Sequence, residues 1–345
     1  IKFFHFKKNF LGVISLSFIV FIATISIFAY ILAPDKSSNA NNMNLSIHSQ
    51  MPGFSVDILK EKKTRTNDQS LYEILLFGVS ETSDEIAVSD YYMQGDFIFY
   101  KEFKSLDESL KSVLRNDYVV EKKYFLFGTD KFGRDVLSRI IVGSRISISI
   151  GFISVVISLA IGLFFGLISG YYSGLIDKII MWLINVTWSI PTLLLVIAIT
   201  LALGKGFWQV FIAVGLTMWV EVARLVRGQV KTLKERKFIT AAKVMGFSDF
   251  RIILFHILPN IISPIIVISA ANFAASILIE SGLSFLGLGA QPPMISWGLM
   301  IKDHYNYIIL GEPFLAIIPG VCIMLLVTSF MLLGNSLRDI LDIKN

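Results

Sequence analysis

Cysteine is almost missing from this 345-residue chain. Only Cys322 is present, so neither an internal disulfide nor a cysteine-built metal cluster can hold the molecule together. Histidine is nearly as scarce. His5, His48, His256 and His304 are scattered, with no pair at metal-ligand spacing and none beside a nucleophile, which leaves no recognisable catalytic grouping. The phosphate-cradling pattern G-x-x-x-x-G-K-[ST] is absent as well, so any ATP chemistry belongs to another chain. Charge is also thin, at 17% of residues against about a quarter in soluble domains.

Apolar length takes the place of what is missing. Apolar residues make up 54% of the chain and the mean hydropathy is +0.68, values that describe a polytopic membrane protein. Six segments reach the roughly 20 residues that a helix needs to cross a hydrocarbon core: 10–32, 146–172, 179–203, 207–226, 261–283 and 313–333. Lys2, Lys7 and Lys8 precede the first, but its apolar run exceeds the roughly 7 to 15 residues of a signal-peptide core, so a retained helix is expected. Glu221 and Arg224 fall in the last turn of the fourth. A charge at mid-bilayer costs about 2.5 to 3.5 kcal/mol on insertion scales, which places both at the interface.

The formal charge of +5 does not point to nucleic acid, because the positive residues gather where a membrane protein needs them. Arg224, Arg227, Lys231, Lys234, Arg236, Lys237, Lys243 and Arg251 lie between the fourth and fifth segments, opposed only by Glu221, Glu235 and Asp249. The positive-inside rule makes this loop and the N-terminus cytoplasmic, and six crossings return the C-terminus, with Arg338 and Lys344, to the same side.

Residues 33–125 then form an outer insertion, and 126–345 a compact membrane block. The insertion opens on "PDKSSNANNMNLS", a polar linker with nothing to bury. "SLYEILLFGV", "GDFIFYKEF" and "YVVEKKYFLFG" read as short strands, and "SLDESLKSVL" as a helix, giving a small α+β domain. In the second apolar segment Gly162, Gly166 and Gly170 repeat on one face and permit close helix approach. Pro191 should kink the third. Around it Asn185, Trp188, Ser189 and Thr192 share a face, and Ser269, Asn272, Ser276 and Glu280 do so in the fifth. Two explanations stay open for such stripes, hydrogen bonding between helices and the lining of a wet pathway. Glu280, near an outer end, is open to a specific role or to simple solvation.

Between the fourth and fifth segments, "KFITAAKVMGFSDFRIILFHILPN" cannot lie in lipid. Phe238, Ala242 and Met245 recur at i, i+4 and i+7 on a first helix. Gly246 suits a helix end, Ser248 caps a second helix running to His256, and Pro259 opens the next span. A rigid element with a small apolar face fits a groove in a soluble partner.

The run Thr240-Ala241-Ala242, with Gly246 four residues on and Leu258-Pro259 beyond, resembles the "EAA" loop of permease subunits of binding-protein-dependent ABC importers, with Thr240 where Glu is frequent. "FGTDKFGRDVLSRIIVGSRISI", "ARLVRGQV" and "ESGLSFLGLGAQPPMISWGLMI" are similar to stretches of the dipeptide, oligopeptide and nickel group, specifically its C-type peptide permease. The resemblance covers residues 127–342, about two thirds of the chain. It implies an all-α type I importer permease fold of six membrane helices in a bacterial plasma membrane. It also implies a homologous second permease, two cytoplasmic ATPases, an extracytoplasmic binding protein, and alternating access.

By that resemblance the coupling loop is 236–259, with Phe238, Thr240, Ala241, Ala242, Met245, Gly246, Leu258 and Pro259 as its working residues. From the polar stripes, with packing still the other explanation, the candidate translocation-path residues are Asn185, Trp188, Ser189, Thr192, Ser269, Asn272 and Ser276. No cofactor or metal is expected on this chain, ATP and Mg being held by the partners. The cargo is expected to be a dipeptide or oligopeptide, with nickel as the alternative; a membrane-embedded enzyme with an outer ligand-binding domain is the reading from another class. Asp130 and Asp135 in "FGTDKFGRD" lack the spacing of a calcium loop, which leaves an outer-surface segment lying at the membrane or touching the binding protein.

Overall fold

The computed structural model describes residues 9–62, 69–80, 84–104, 109–204 and 206–341. Lys2, His5, Lys7, Lys8 and Lys344 lie outside the described residues. The chain divides into two units, one of Ile1–Ile22, Ser147–Gln291 and Val321–Asn345, the other of Ala23–Ile146 and Pro292–Gly320.

Along the chain, α1 (Phe10–Ile27) and the one-turn α2 (Ala29–Leu32) lead to β1 (Phe54–Glu61), α3 (Leu71–Phe77), β2 (Glu85–Gln94), β3 (Phe97–Glu102), β4 (Lys111–Leu114) and β5 (Tyr118–Phe125). The strands form one antiparallel sheet in the order β4-β3-β2-β1-β5. Alternation along β1 sends Val56 and Ile58 to a cluster with Ile47, Ala87 and Phe125, and Leu59 to a second cluster with Val88, Ile98 and Tyr100.

Three sequence expectations fail in this unit. "SLYEILLFGV" holds the helix α3, because Ser70 and Glu73 form a reciprocal capping box, the Ser70 amide donating to Glu73 Oε2 at 3.1 Å. In "SLDESLKSVL" the described residues Lys111–Leu114 form β4, paired with β3 from Phe97↔Leu114 to Tyr100↔Lys111; cross-strand pairing overrides a helical pattern that short. The polar linker is not a tether. Asp35 and Ser37 are buried, the Asp35 amide donates to Ser138 Oγ at 2.8 Å, and Asp35 Oδ1 accepts from the Ser37 amide at 2.9 Å.

The remaining helices are α4 (Val136–Tyr171), α5 (Leu175–Trp188), α6 (Thr192–Leu203), α7 (Phe207–Lys234), α8 (Lys237–Val244), α9 (Asp249–Ile252), α10 (Leu258–Phe285), α11 (Trp297–His304) and α12 (Phe314–Leu341). Among the described residues five helices are long and apolar enough to cross a membrane: Phe10–Ile27, Val136–Tyr171, Phe207–Lys234, Asp249–Phe285 and Phe314–Ile340. The α5–α6 pair passes the same test only jointly and bends by 91° at its break. Pro191, which has no amide hydrogen to give a preceding turn, stands there as the residue before α6. The expected kink is therefore a full corner.

In the first unit α4 and α7 meet backbone to backbone. A Cβ on Gly162, Gly166 or Gly170 would lie 2.5, 2.7 or 2.6 Å from the Cβ of Val222, Val226 or Val230. No side chain fits there, so the three glycines are a packing requirement. Asp177 of α5 receives Arg227 Nε at 2.6 Å and Lys231 Nζ at 2.7 Å, which fastens α5 to α7.

Candidate functional site

The elbow between α8 and α9 is built from backbone geometry. The Phe247 amide reaches back to Ala242 O at 3.1 Å and the Gly246 amide to Lys243 O at 2.9 Å, the paired bonds of a Schellman end. Gly246 adopts φ +81°, a region open to glycine at little cost. Ser248 starts the next helix, its Oγ accepting from the Arg251 amide at 3.4 Å. Beyond α9 the chain passes through a π-helical stretch, Ile253–Ile257, straight into α10. The second helix thus does not stop at His256. With Pro259 unable to donate, the Asn260 side chain donates to His256 O at 2.7 Å, and the helix widens across the proline instead of breaking.

The elbow's outward face differs from the expected one. Ala242 is only 1% exposed and belongs with Ile239 to the core formed by Tyr171, Val222, Val226, Val230, Ile252 and Ile257. The apolar residues facing outward are Phe238, Val244 (84% exposed), Met245 (64%) and Phe250 (71%), with Ala241 and Thr240 among them. The i, i+4, i+7 reading put Ala242 on this face because Ala fits either side; Ile239, a stronger inward anchor one turn before it, fixes the rotation. Val244 and Phe250 were missed, though two large apolar residues beside a predicted turn were a usable signal. Leu258 and Pro259 lie in the first turn of α10.

Tyr171, also unforeseen, ties the elbow to the end of α4. Its hydroxyl donates to Asp249 Oδ1 at 2.5 Å, Lys234 Nζ donates to its carbonyl at 2.6 Å, and Lys243 Nζ lies 5.1 Å from its ring centroid. A charge-assisted bond and a cation over the ring hold the elbow at one angle.

The polar residues of the α5–α6 corner and of α10 have different surroundings. Asn185 and Trp188 are exposed and both engage Arg224, which donates to Asn185 Oδ1 at 2.9 Å and stacks 3.5 Å from the Trp188 ring centroid. Ser189 Oγ donates to Val186 O at 2.7 Å. Thr192 and Trp188 line a cleft of about 170 Å³ with Thr217, Met218, Glu221 and Ile279. Asn272 and Ser276 are buried: Ser276 Oγ donates to Asn272 O at 2.6 Å and touches Met218 Sδ at 3.5 Å. Ser269 Oγ donates to Ile265 O at 2.7 Å. Glu280 is buried as well, with Ser284 Oγ donating to it at 2.6 Å. Glu221 was expected at a helix end; α7 runs on to Lys234 and leaves it mid-helix.

"FGTDKFGRD" is a buried knot and not a surface segment. Asp130 accepts from the amides of Phe132 (2.9 Å) and Arg134 (3.0 Å) and from Arg134 Nε (2.7 Å), with Arg139 Nε at 3.4 Å. Asp135 accepts from the amide and hydroxyl of Ser138. Burial pushes the Asp135 carboxyl above its usual range, against the pull of the Ser138 bonds. In the same unit His304 holds its Nδ1 2.8 Å from Met300 O, and burial pushes the imidazole below its usual range. With Asp130 held by arginine and amide donors and Asp135 Oδ2 by the amide and hydroxyl of Ser138, the two aspartates are built as structural acceptors.

Residues 162–342, a little over half of the chain, match the family described as binding-protein-dependent transport system inner membrane component. The dipeptide transport system permease protein DppC of Alkalihalophilus pseudofirmus is 44% identical over 218 residues, covering 63% of this chain and 71% of that one. The glutathione transport system permease protein GsiD of Pectobacterium atrosepticum is 43% identical over 217 residues, covering 63% and 72%. A solved structure of the MetNI methionine ABC transporter, described as inward facing, aligns with 59% of this chain and 96% of its own at 17% identity and a TM-score of 0.49.

Proposed function

This chain belongs to the family of binding-protein-dependent transport system inner membrane components, and from that premise we propose that it is one permease of an ATP-driven peptide importer. It is a transport subunit and not an enzyme. It pairs with a homologous permease, receives a dipeptide or oligopeptide from an extracytoplasmic binding protein, and seats its α8–α9 elbow in one of two cytoplasmic ATPases. ATP and Mg stay on those partners. The sheet of residues 54–125 stands on the outer side and both termini on the inner side, with the α5–α6 pair counted as one broken crossing among six. The path runs past the corner residues Asn185, Trp188, Ser189 and Thr192, and Asn272 and Ser276 enter it when the helices rearrange between inward- and outward-open states.

The elbow carries the reading: four large apolar side chains, Phe238, Val244, Met245 and Phe250, point away from a scaffold locked by a Schellman end and by Tyr171. An exposed apolar knob on a fixed stem is what a groove in a soluble partner requires. The test is reconstitution with a second permease, ATPases and binding protein in vesicles, measuring uptake of labelled alanyl-alanine driven by ATP. Uptake that persists without any ATPase bound would overturn the proposal. For sidedness, cysteines placed at Ser38 and Lys237 after replacing Cys322 are treated with an impermeant thiol reagent in intact cells; labelling of the second and not the first reverses the topology.

A further inference from the structure

Glu221 stands where a carboxylate needs a reason. It lies near the midpoint of the 28-residue α7, about 21 Å from Phe207 and about 20 Å from Lys234 by helical rise. It is exposed, and among the described residues nothing pairs with it or hydrogen-bonds to it. The next charge along the helix, Arg224, forms no ion pair with it, its guanidinium being turned to Asn185 Oδ1 and the Trp188 ring. An unpaired ionised carboxylate turned to lipid within a helix apolar enough to cross a membrane is disfavoured, so its surroundings are a wet path or another polar group.

The cleft at the α5–α6 corner supplies such surroundings, lined by Glu221 together with Trp188, Thr192, Thr217, Met218 and Ile279. We propose that Glu221 is the subsite for the cargo's amino group, its carboxylate receiving the N-terminal ammonium of a peptide passing the corner. An ammonium carries three donors. Glu221 offers two acceptor oxygens, and Thr217 Oγ1, whose own proton goes to Val214 O at 2.8 Å, keeps lone pairs to accept a further bond. A metal ion is a poorer fit, because Glu221 is the single carboxylate lining the cleft and no histidine or cysteine lines it. The assignment rests on the reading of the chain as a peptide permease and adds the chemistry by which the cargo is gripped.

The assembled importer in vesicles, supplied with binding protein saturated with labelled alanyl-alanine, tests it through Glu221→Gln and Glu221→Asp. The expected result is at least a tenfold loss of uptake in Glu221→Gln and retention within about threefold in Glu221→Asp, with both complexes intact by size-exclusion chromatography. Wild-type uptake by Glu221→Gln would overturn the assignment. Equal loss in both variants would make the position a packing contact, and failure of Glu221→Gln to hold the second permease would make the carboxylate an interface group; either overturns it. A wild-type complex that moves no peptide would instead fail the peptide reading itself, before either variant is compared.

Discussion

Replacing Val244 by Glu isolates the docking face from the fold. Val244 is 84% exposed and lies outside the core that holds the elbow, so the substitution should change stability by no more than about 0.5 kcal/mol. Seated in a partner's groove, the same side chain would contribute about 1.5 to 3 kcal/mol of burial, and its loss weakens association roughly 10- to 100-fold. A carboxylate forced into that groove adds a desolvation cost in the same direction. Ala242→Glu is the contrast. At 1% exposure beside Ile239 and Val230, a charge there has no water and no partner, and the cost of several kcal/mol falls on folding. The assay compares membrane level, recovery of the ATPases by pull-down, and uptake at matched expression. Val244→Glu should insert at wild-type level and lose the ATPases, whereas Ala242→Glu should fail to accumulate. Normal ATPase recovery and uptake by Val244→Glu would refute the face assigned here.

Gly246 has open space where a Cβ would go, so its substitution tests backbone conformation alone: Gly246→Ala should cost about 1 kcal/mol and Gly246→Val more, read as a graded loss of uptake at unchanged membrane level. Gly166→Val should sharply lower the thermal stability of the purified protein, because its Cβ meets Val226 Cβ at 2.7 Å and the Ala223 carbonyl oxygen at 2.8 Å; adding Val226→Gly, which removes the first of these contacts, should restore part of the loss, and wild-type stability of Gly166→Val would refute the close α4–α7 packing. For His304, the folded value lies below the usual 6.5, so the unfolded chain binds the proton more readily and the histidine's stabilising contribution, complete above the unfolded value, is lost as pH falls. Thermal stability should drop as pH falls through the usual 6.5 and on towards the lower folded value, and His304→Gln should flatten that part of the profile.

The apolar rods and the elbow were legible because both are local. A run of apolar residues specifies a membrane helix by itself, and Gly246, Ser248 and Pro259 act within a few residues of where they stand. What the sequence hid depends on the third dimension. Ala242 has no size to reveal its direction, and only the distant valines of α7 make it a core residue. Lys111–Leu114 is a strand because β3 lies beside it, and "PDKSSNANNMNLS" is ordered because Ser138, about a hundred residues on, receives the Asp35 amide. α3 is the exception, since Ser70 and Glu73 announce it locally and the apolar run that follows them, Ile74 to Phe77, drew the reading towards a strand. In the site, Tyr171 and Asp177 went unremarked because their partners, Asp249, Arg227 and Lys231, lie on other helices.

The glycine and valine seam between α4 and α7 has a mechanical meaning. Packing with no side-chain cushion leaves no slack, so the two helices rotate as one stiff beam and not as rods sliding past each other. Val222, Val226 and Val230 reach the glycines on one side and belong to the same core as Ile239 and Ala242 of the elbow. If the elbow docks as proposed, a push on α8 would be delivered to a beam that carries Glu221 along its length, with little lost to bending on the way. In the importer proposed above, loosening this seam would show as lost motion: ATP hydrolysed with little displacement at the corner.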